Sequence, residues 1–171
     1  MPTRTNKSGS KSDTVGDAPV VRPLRILVAD DNADGRDMLV YLLTAEGHTV
    51  AEAPDGETAV ETAGRFRPDV VILDIGMPGM NGYTVAETLR KNPETSSVVL
   101  VALSGLGQRE DKARAAQAGF DRHFTKPVDV NALRTFLAAT ATPSPIDREL
   151  ERLNQFASPP TRTEEHRDAS G

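Results

Sequence analysis

Between Leu24 and Thr140 the chain alternates two patterns of hydrophobic and polar positions. One is a short, nearly unbroken apolar run. The other is a longer stretch with apolar residues at helical spacing. LRILVAD opens the series as a strand ending on acids, and DMLVYLLTAEG follows with Met38, Leu39, Leu42 and Leu43 on helical positions and Gly47 as a stop. HTVAEA is a weaker, alternating strand, and GETAVETAGRF places Ala59, Val60 and Ala63 on one helical face. DVVILD is a third strand, followed by GYTVAETLRKN with Val85, Ala86 and Leu89. SVVLVALS is the most β-branched run, and REDKARAAQAG is a short helix closed by Gly119. DRHFT and DVNALRTFLAAT complete the series, with Val130, Leu133 and Leu137 aligned. Strand and helix thus alternate five times. Continuous apolar strands between helices predict an α/β fold with a parallel sheet covered on both faces. Right-handed crossovers leave few topologies, of which the doubly wound, flavodoxin-like order 2-1-3-4-5 is one.

Outside this stretch the composition changes. Residues 1–23 are rich in Ser, Thr, Lys, Gly and Pro without hydrophobic periodicity and read as a disordered tail. Residues 141–171 are polar and proline-punctuated and read as a second, mostly disordered tail. Within it, Ile146, Leu150, Leu153 and Phe156 lie near one helical face, a docking helix over 146–156 or a marginal one. The 171 residues suit one domain of ordinary size.

Composition narrows the chemistry. A net charge of −5 offers no basic excess for phosphates, so direct DNA binding is not expected. Without cysteine there is no disulfide, thiolate metal site or cysteine nucleophile, which fits a reducing, cytoplasmic setting. No apolar run reaches the ~20 residues of a membrane helix, and the first residues contain no apolar run of a signal peptide.

The candidate chemistry lies where each apolar run stops. Asp30 and Asp31 follow the first strand, Asp74 ends the third, Ser104 ends the fourth, and Thr125, Lys126 and Pro127 follow the fifth. In a parallel sheet these ends share one edge, where ligands of open α/β sheets bind. Three carboxylates placed together favour a divalent cation, and all-oxygen ligands suit Mg²⁺. A carboxylate can also accept a phosphoryl group as an acyl phosphate, with a lysine and a hydroxyl contacting phosphoryl oxygens. Each residue has a plainer reading as a turn former, helix cap or loop start. Their joint placement on successive strand ends is harder to explain by turn chemistry.

With VADDN, LDIGMPGMNGY, VALSG and HFTKPVD in place, the segment Leu24 to Thr140 resembles the receiver domain of two-component response regulators. The resemblance implies that Asp74 is the phosphoacceptor, and that Asp30, Asp31, Asp74 and the backbone carbonyl of Gly76 hold Mg²⁺ or Mn²⁺. Lys126 and Ser104 would contact the phosphoryl group, and the Lys126–Pro127 peptide would be cis. It implies a histidine kinase or histidine phosphotransfer protein as donor, meeting the first helix and the loop around Pro127. The signal would leave for a protein partner through the fourth helix, fifth strand and fifth helix, roughly Arg109 to Ala139. The last 30 or so residues are too few and too polar for an attached output domain, so the chain reads as a single-domain regulator; derivation from a hybrid kinase is the alternative.

Departures from the family pattern sharpen the expectations. His123 stands where Tyr or Phe is usual, either as a switch ring whose charge responds to pH or as a plain surface histidine. Ser104 stands where Thr is commoner. Gly76 and Leu106 occupy positions where polar side chains in this family orient the hydrolytic water, so the aspartyl phosphate is expected to persist. Two other classes compete. A phosphatase or phosphotransferase of the haloacid dehalogenase-like class would carry its nucleophile after the first strand, in a D-x-D pattern. An interaction module that is never phosphorylated would not need the intact acid, hydroxyl and lysine set. Nucleotide and flavin binders lack their phosphate loops here.

Overall fold

Val70–Asp74, β3, is buried along its whole length, and the rest of the molecule is built around it. The computed structural model describes residues 22–105 and 109–142. β1 (Arg25–Ala29) and β4 (Val99–Ser104) flank β3, while β2 (Thr49–Ala53) and β5 (Arg122–Thr125) form the edges. All pairings are parallel, in the order β2-β1-β3-β4-β5. The five connecting helices are α1 (Ala33–Ala45), α2 (Gly56–Phe66), α3 (Gly82–Lys91), α4 (Arg109–Gln117) and α5 (Val130–Ala141). The expected fold and strand order are therefore observed.

Successive side chains of a strand face opposite sides, and here both sides are buried. Ile26, Val28, Val70, Ile72, Val101 and Leu103 pack with Leu39 and Leu43 of α1 and Leu133 and Leu137 of α5. Leu27, Ala29, Val71, Leu73, Leu100 and Ala102 pack with Ala59 and Ala63 of α2, Val85, Ala86 and Leu89 of α3, and Ala115 of α4. Small alanines on α2 let that helix lie close to β1 and β2.

Four helices begin on an Asn or Asp side chain that accepts a backbone N–H of the first turn: Asn32, Asp55, Asn81 and Asp129. α1 thus starts at Ala33, four residues before the apolar pattern that predicts it. Its buried face is also narrower than expected. Leu39 and Leu43 are buried, but Met38 is 53% exposed. Gly47 and Gly119 take left-handed conformations, with φ of 89° and 92°, just past α1 and α4, as their stop positions predict.

Arg22 donates to the Asp69 carboxylate at 3.2 and 3.3 Å, so it belongs to the folded unit although the sequence places it in a tail. α5 extends to Ala141. Residues 1–21 and 143–171 of the expected tails, with the short helix expected over 146–156, and Leu106 lie outside the described residues.

Candidate functional site

The register of the sheet brings the candidate residues to one edge. Ala29 pairs with both Ala53 and Leu73, Asp74 with Leu103, and Ser104 with Thr125. Asp30, Asp74, Ser104 and Lys126 therefore sit at or just past four adjacent strand ends. The Lys126 N–H donates to the Ser104 carbonyl at 2.7 Å, and the Ile75 N–H to the Leu103 carbonyl at 2.8 Å, so both turns are tied to the strands they leave.

Asp30 and Asp74 are 2% and 7% exposed, and Asp31 lies open to solvent. Carboxylate oxygens of all three lie within 4.8 Å of one another. Two buried carboxylates need compensation, and Lys126 supplies it. Its Nζ lies 2.8 Å from Asp30 Oδ2 and 3.2 Å from Asp74 Oδ2. Burial alone would lower the lysine pKa. The hydrogen bond to Asp30 and the charges of both carboxylates outweigh it and hold the ammonium above its ordinary value. Backbone N–H groups take the remaining oxygens: Asn32 donates to Asp30 Oδ1 at 2.9 Å and Gly76 to Asp74 Oδ1 at 3.0 Å. The Lys126–Pro127 peptide is cis, as the resemblance implies.

The loop after Asp74 is pressed against its surroundings. A Cβ at Gly82 would lie 2.6 Å from the Asp74 carbonyl oxygen, and one at Gly56 would lie 2.2 Å from that of Met80. Glycine at these positions lets α3 start against the end of β3 and lets α2 abut the loop. Gly79 has φ of 75°, which glycine adopts without strain. A Cβ at Gly76 would be in ordinary contact with both Asp74 oxygens, at 3.7 and 3.8 Å, so this glycine leaves the acceptor open on one side.

At the far side of the site, Ser104 Oγ lies 2.6 Å from His123 Nε2. His123 is half-buried. Arg36 is a further contributor that the apolar pattern did not single out. Its Nη1 donates to the Asp30 carbonyl at 2.8 Å and its Nε to Glu52 at 3.3 Å, bracing the acid loop against β2. The one signal for it in sequence is its place four residues after the Asn32 cap.

The donor set fits a hard divalent cation. It offers oxygens only, carries an excess of negative charge beside a single ammonium, and is open at Asp31. The same arrangement sets a fixed cation beside the Asp74 carboxylate.

Comparison with known proteins shows the family. Residues 26–138 match the family model described as response regulator receiver domain, and the chain belongs to that family. Members are signalling phosphoacceptors of two-component systems rather than conventional enzymes; they take phosphate from histidine kinases on an aspartate and bind Mg²⁺ in an acidic pocket. Among curated relatives, the response regulator PleD of Caulobacter vibrioides is 40% identical over 105 residues, 61% of this chain but only 23% of PleD. Protein PilH of Pseudomonas aeruginosa is 37% identical over 109 residues, 64% of this chain and 90% of PilH. Among solved structures, the receiver domain of the Pseudomonas aeruginosa sensor histidine kinase PA1611, with a magnesium ion coordinated in its active site cleft, superposes with a TM-score of 0.65 at 26% identity, covering 70% of this chain and 98% of that one. Vibrio cholerae chemotaxis protein CheY4 gives a TM-score of 0.66 at 26% identity, covering 70% and 99%.

Proposed function

We propose that this chain accepts a phosphoryl group on Asp74 from a histidine kinase or histidine phosphotransfer protein and passes the signal to a protein partner. The observation that carries this reading is the Lys126 ammonium bridging Asp30 and Asp74, with Asp31 within reach of the same point. An Asp74 carboxylate oxygen forms a bond to phosphorus while the bond from phosphorus to the donor imidazole nitrogen breaks. The freed imidazole keeps that electron pair. Lys126 stays between the acids and neutralises charge on the phosphoryl oxygens, and the Ser104 hydroxyl donates to another of them. Asp30, Asp31, Asp74 and the Gly76 carbonyl would hold Mg²⁺ or Mn²⁺, which would supply further positive charge to offset that of the transferring group.

The donor would dock on the groove between the start of α1 and the turn after β5. This groove of about 380 Å³ is lined by Asn32, Gly35, Met38, Pro127 and Val128 beside Lys126. Met38 and Tyr41 are exposed on the same helix, as a helix-binding surface requires. The output would leave through α4, β5 and α5, with His123 on β5 as the switch residue. A single-domain regulator in the cytoplasm is the organisation we favour; the 90% coverage of PilH supports it, and no described helix is long and apolar enough to cross a membrane. Gly76 offers no side chain to hold a hydrolytic water, which supports a slow loss of phosphate; loss within seconds would contradict it.

The test is incubation with Mg²⁺ and acetyl phosphate followed by intact-mass measurement. Wild type should gain one phosphoryl group and Asp74→Asn none. Equal labelling of both, or of neither, would sink the assignment.

A further inference from the structure

The short contact between Ser104 and His123 has a direction that burial decides. Ser104 is 6% exposed, and among the described residues its hydroxyl makes no other hydrogen bond. If Nε2 carried the proton, it would donate to Oγ and leave the hydroxyl proton of a buried serine without an acceptor. The arrangement that satisfies both groups is a hydroxyl donating to an unprotonated Nε2. The 2.6 Å separation suits such an O–H donor. A serine in that state has already committed its only proton.

We propose that His123 is a positioning residue for phosphoryl transfer, holding the Ser104 hydroxyl in a latched state that it must leave before it can donate to a phosphoryl oxygen on Asp74. The inference rests on the proposed phosphoacceptor role of Asp74. It adds a specific opposing interaction to that role. The backbone supports a latch that opens by side-chain rotation alone. The Lys126 N–H holds the Ser104 carbonyl at 2.7 Å and the Ser104–Thr125 rung fixes the strand, so only the hydroxyl is left to turn. His123 stands on the edge strand β5, in register with Ala102 of β4.

A phenyl ring cannot accept this hydrogen bond, whereas a glutamine amide oxygen can. His123→Phe should therefore bind beryllofluoride with Mg²⁺, a mimic of the acyl phosphate, about three- to tenfold more tightly than wild type, the worth of one neutral hydrogen bond. His123→Gln should stay near wild type. Affinities would be read by ¹⁹F NMR titration of the full chain. Unchanged or weaker binding by His123→Phe overturns the latch, and so does equal tightening by both variants, which would point to ring shape. A second measurement needs no ligand. In ¹⁵N spectra of the free protein, His123 Nε2 should be unprotonated and hydrogen-bonded, and Ser104→Ala should move its shift. A protonated Nε2, or a shift indifferent to Ser104, also overturns the proposal. Asp74→Asn separates the two readings: beryllofluoride binding that survives in it would contradict the phosphoacceptor role itself, whatever His123 does.

Discussion

Lys126 is the residue on which two opposite effects meet. It neutralises the acids, and so it competes with any cation they would hold. Lys126→Met should therefore tighten Mg²⁺ binding severalfold, by calorimetry, while slowing acetyl phosphate labelling by at least about tenfold, because the transferring group loses a charge that a positioned cation supplies. Loss of both properties together would mean that the lysine only holds the loop in shape. Gly76 makes a second residue-scale prediction. A side chain there meets both Asp74 oxygens at ordinary contact distance, so Gly76→Asn fits without rearrangement and brings an amide beside the acyl phosphate. Phosphate loss, followed by intact mass, should be up to about tenfold faster in this variant, the worth of one hydrogen bond to the attacking water. At this scale much of the site was legible: Asp30, Asp31, Asp74, Ser104 and Lys126 follow apolar runs, and a parallel sheet aligns such ends. The Ser104–His123 bond and the brace from Arg36 were not legible. The first depends on register across β4 and β5, and the second on how α1 lies against β2, and neither leaves a periodic trace.

Among elements, the strands were the most readable because β1, β3 and β4 are buried on both faces between their ends, and those inner positions are apolar. Helix faces were less readable. A pattern of four apolar positions on α1 proved to bury fully only Leu39 and Leu43, since the partner surface across the sheet decides how wide the stripe must be. The close start of α3 was hidden as well, because a glycine in a loop motif looks the same whether it supplies a positive φ or a close approach. Gly82 is the second kind. Gly82→Ala should cost about 1–3 kcal/mol of stability in thermal or urea unfolding, since its Cβ would press on the backbone of Asp74. At the opposite edge, Asp69 joins β1 to the turn before β3. Desolvation raises its pKa, but the Arg25 N–H at 2.8 Å and the Arg22 guanidinium lower it more, so the net shift is downward. A carboxylate with a depressed folded pKa stabilises above its unfolded value, near 3.8, and loses that contribution as pH falls through the folded one. Asp69→Asn should be less stable than wild type at pH 7, with the difference closing below about pH 4. A difference independent of pH would assign the effect to shape rather than charge.

For the whole molecule, the two apolar layers on either side of β3 carry the stability, and the acidic edge works against it. The chain as a whole has a net charge of −5, and the edge gathers three carboxylates around one ammonium. Asp31 differs from its neighbours in being exposed, and among the described residues no ion pair compensates it. On the proposed reading, it raises the repulsion in the metal-free fold and would supply a ligand only when a cation is present. Sites kept for function at the expense of stability behave in this way. Asp31→Asn should therefore raise the melting temperature of the protein in EDTA. In millimolar Mg²⁺ the order should reverse. Wild type gains stability as the logarithm of cation concentration over its dissociation constant, while the variant, with one carboxylate fewer, gains little. Two thermal melts per protein, with and without Mg²⁺, decide the matter. If Asp31→Asn melts lower than wild type in EDTA, the carboxylate is holding the β1–α1 turn together. If both proteins gain equally from Mg²⁺, the cation binds elsewhere, and the acidic edge would need another explanation.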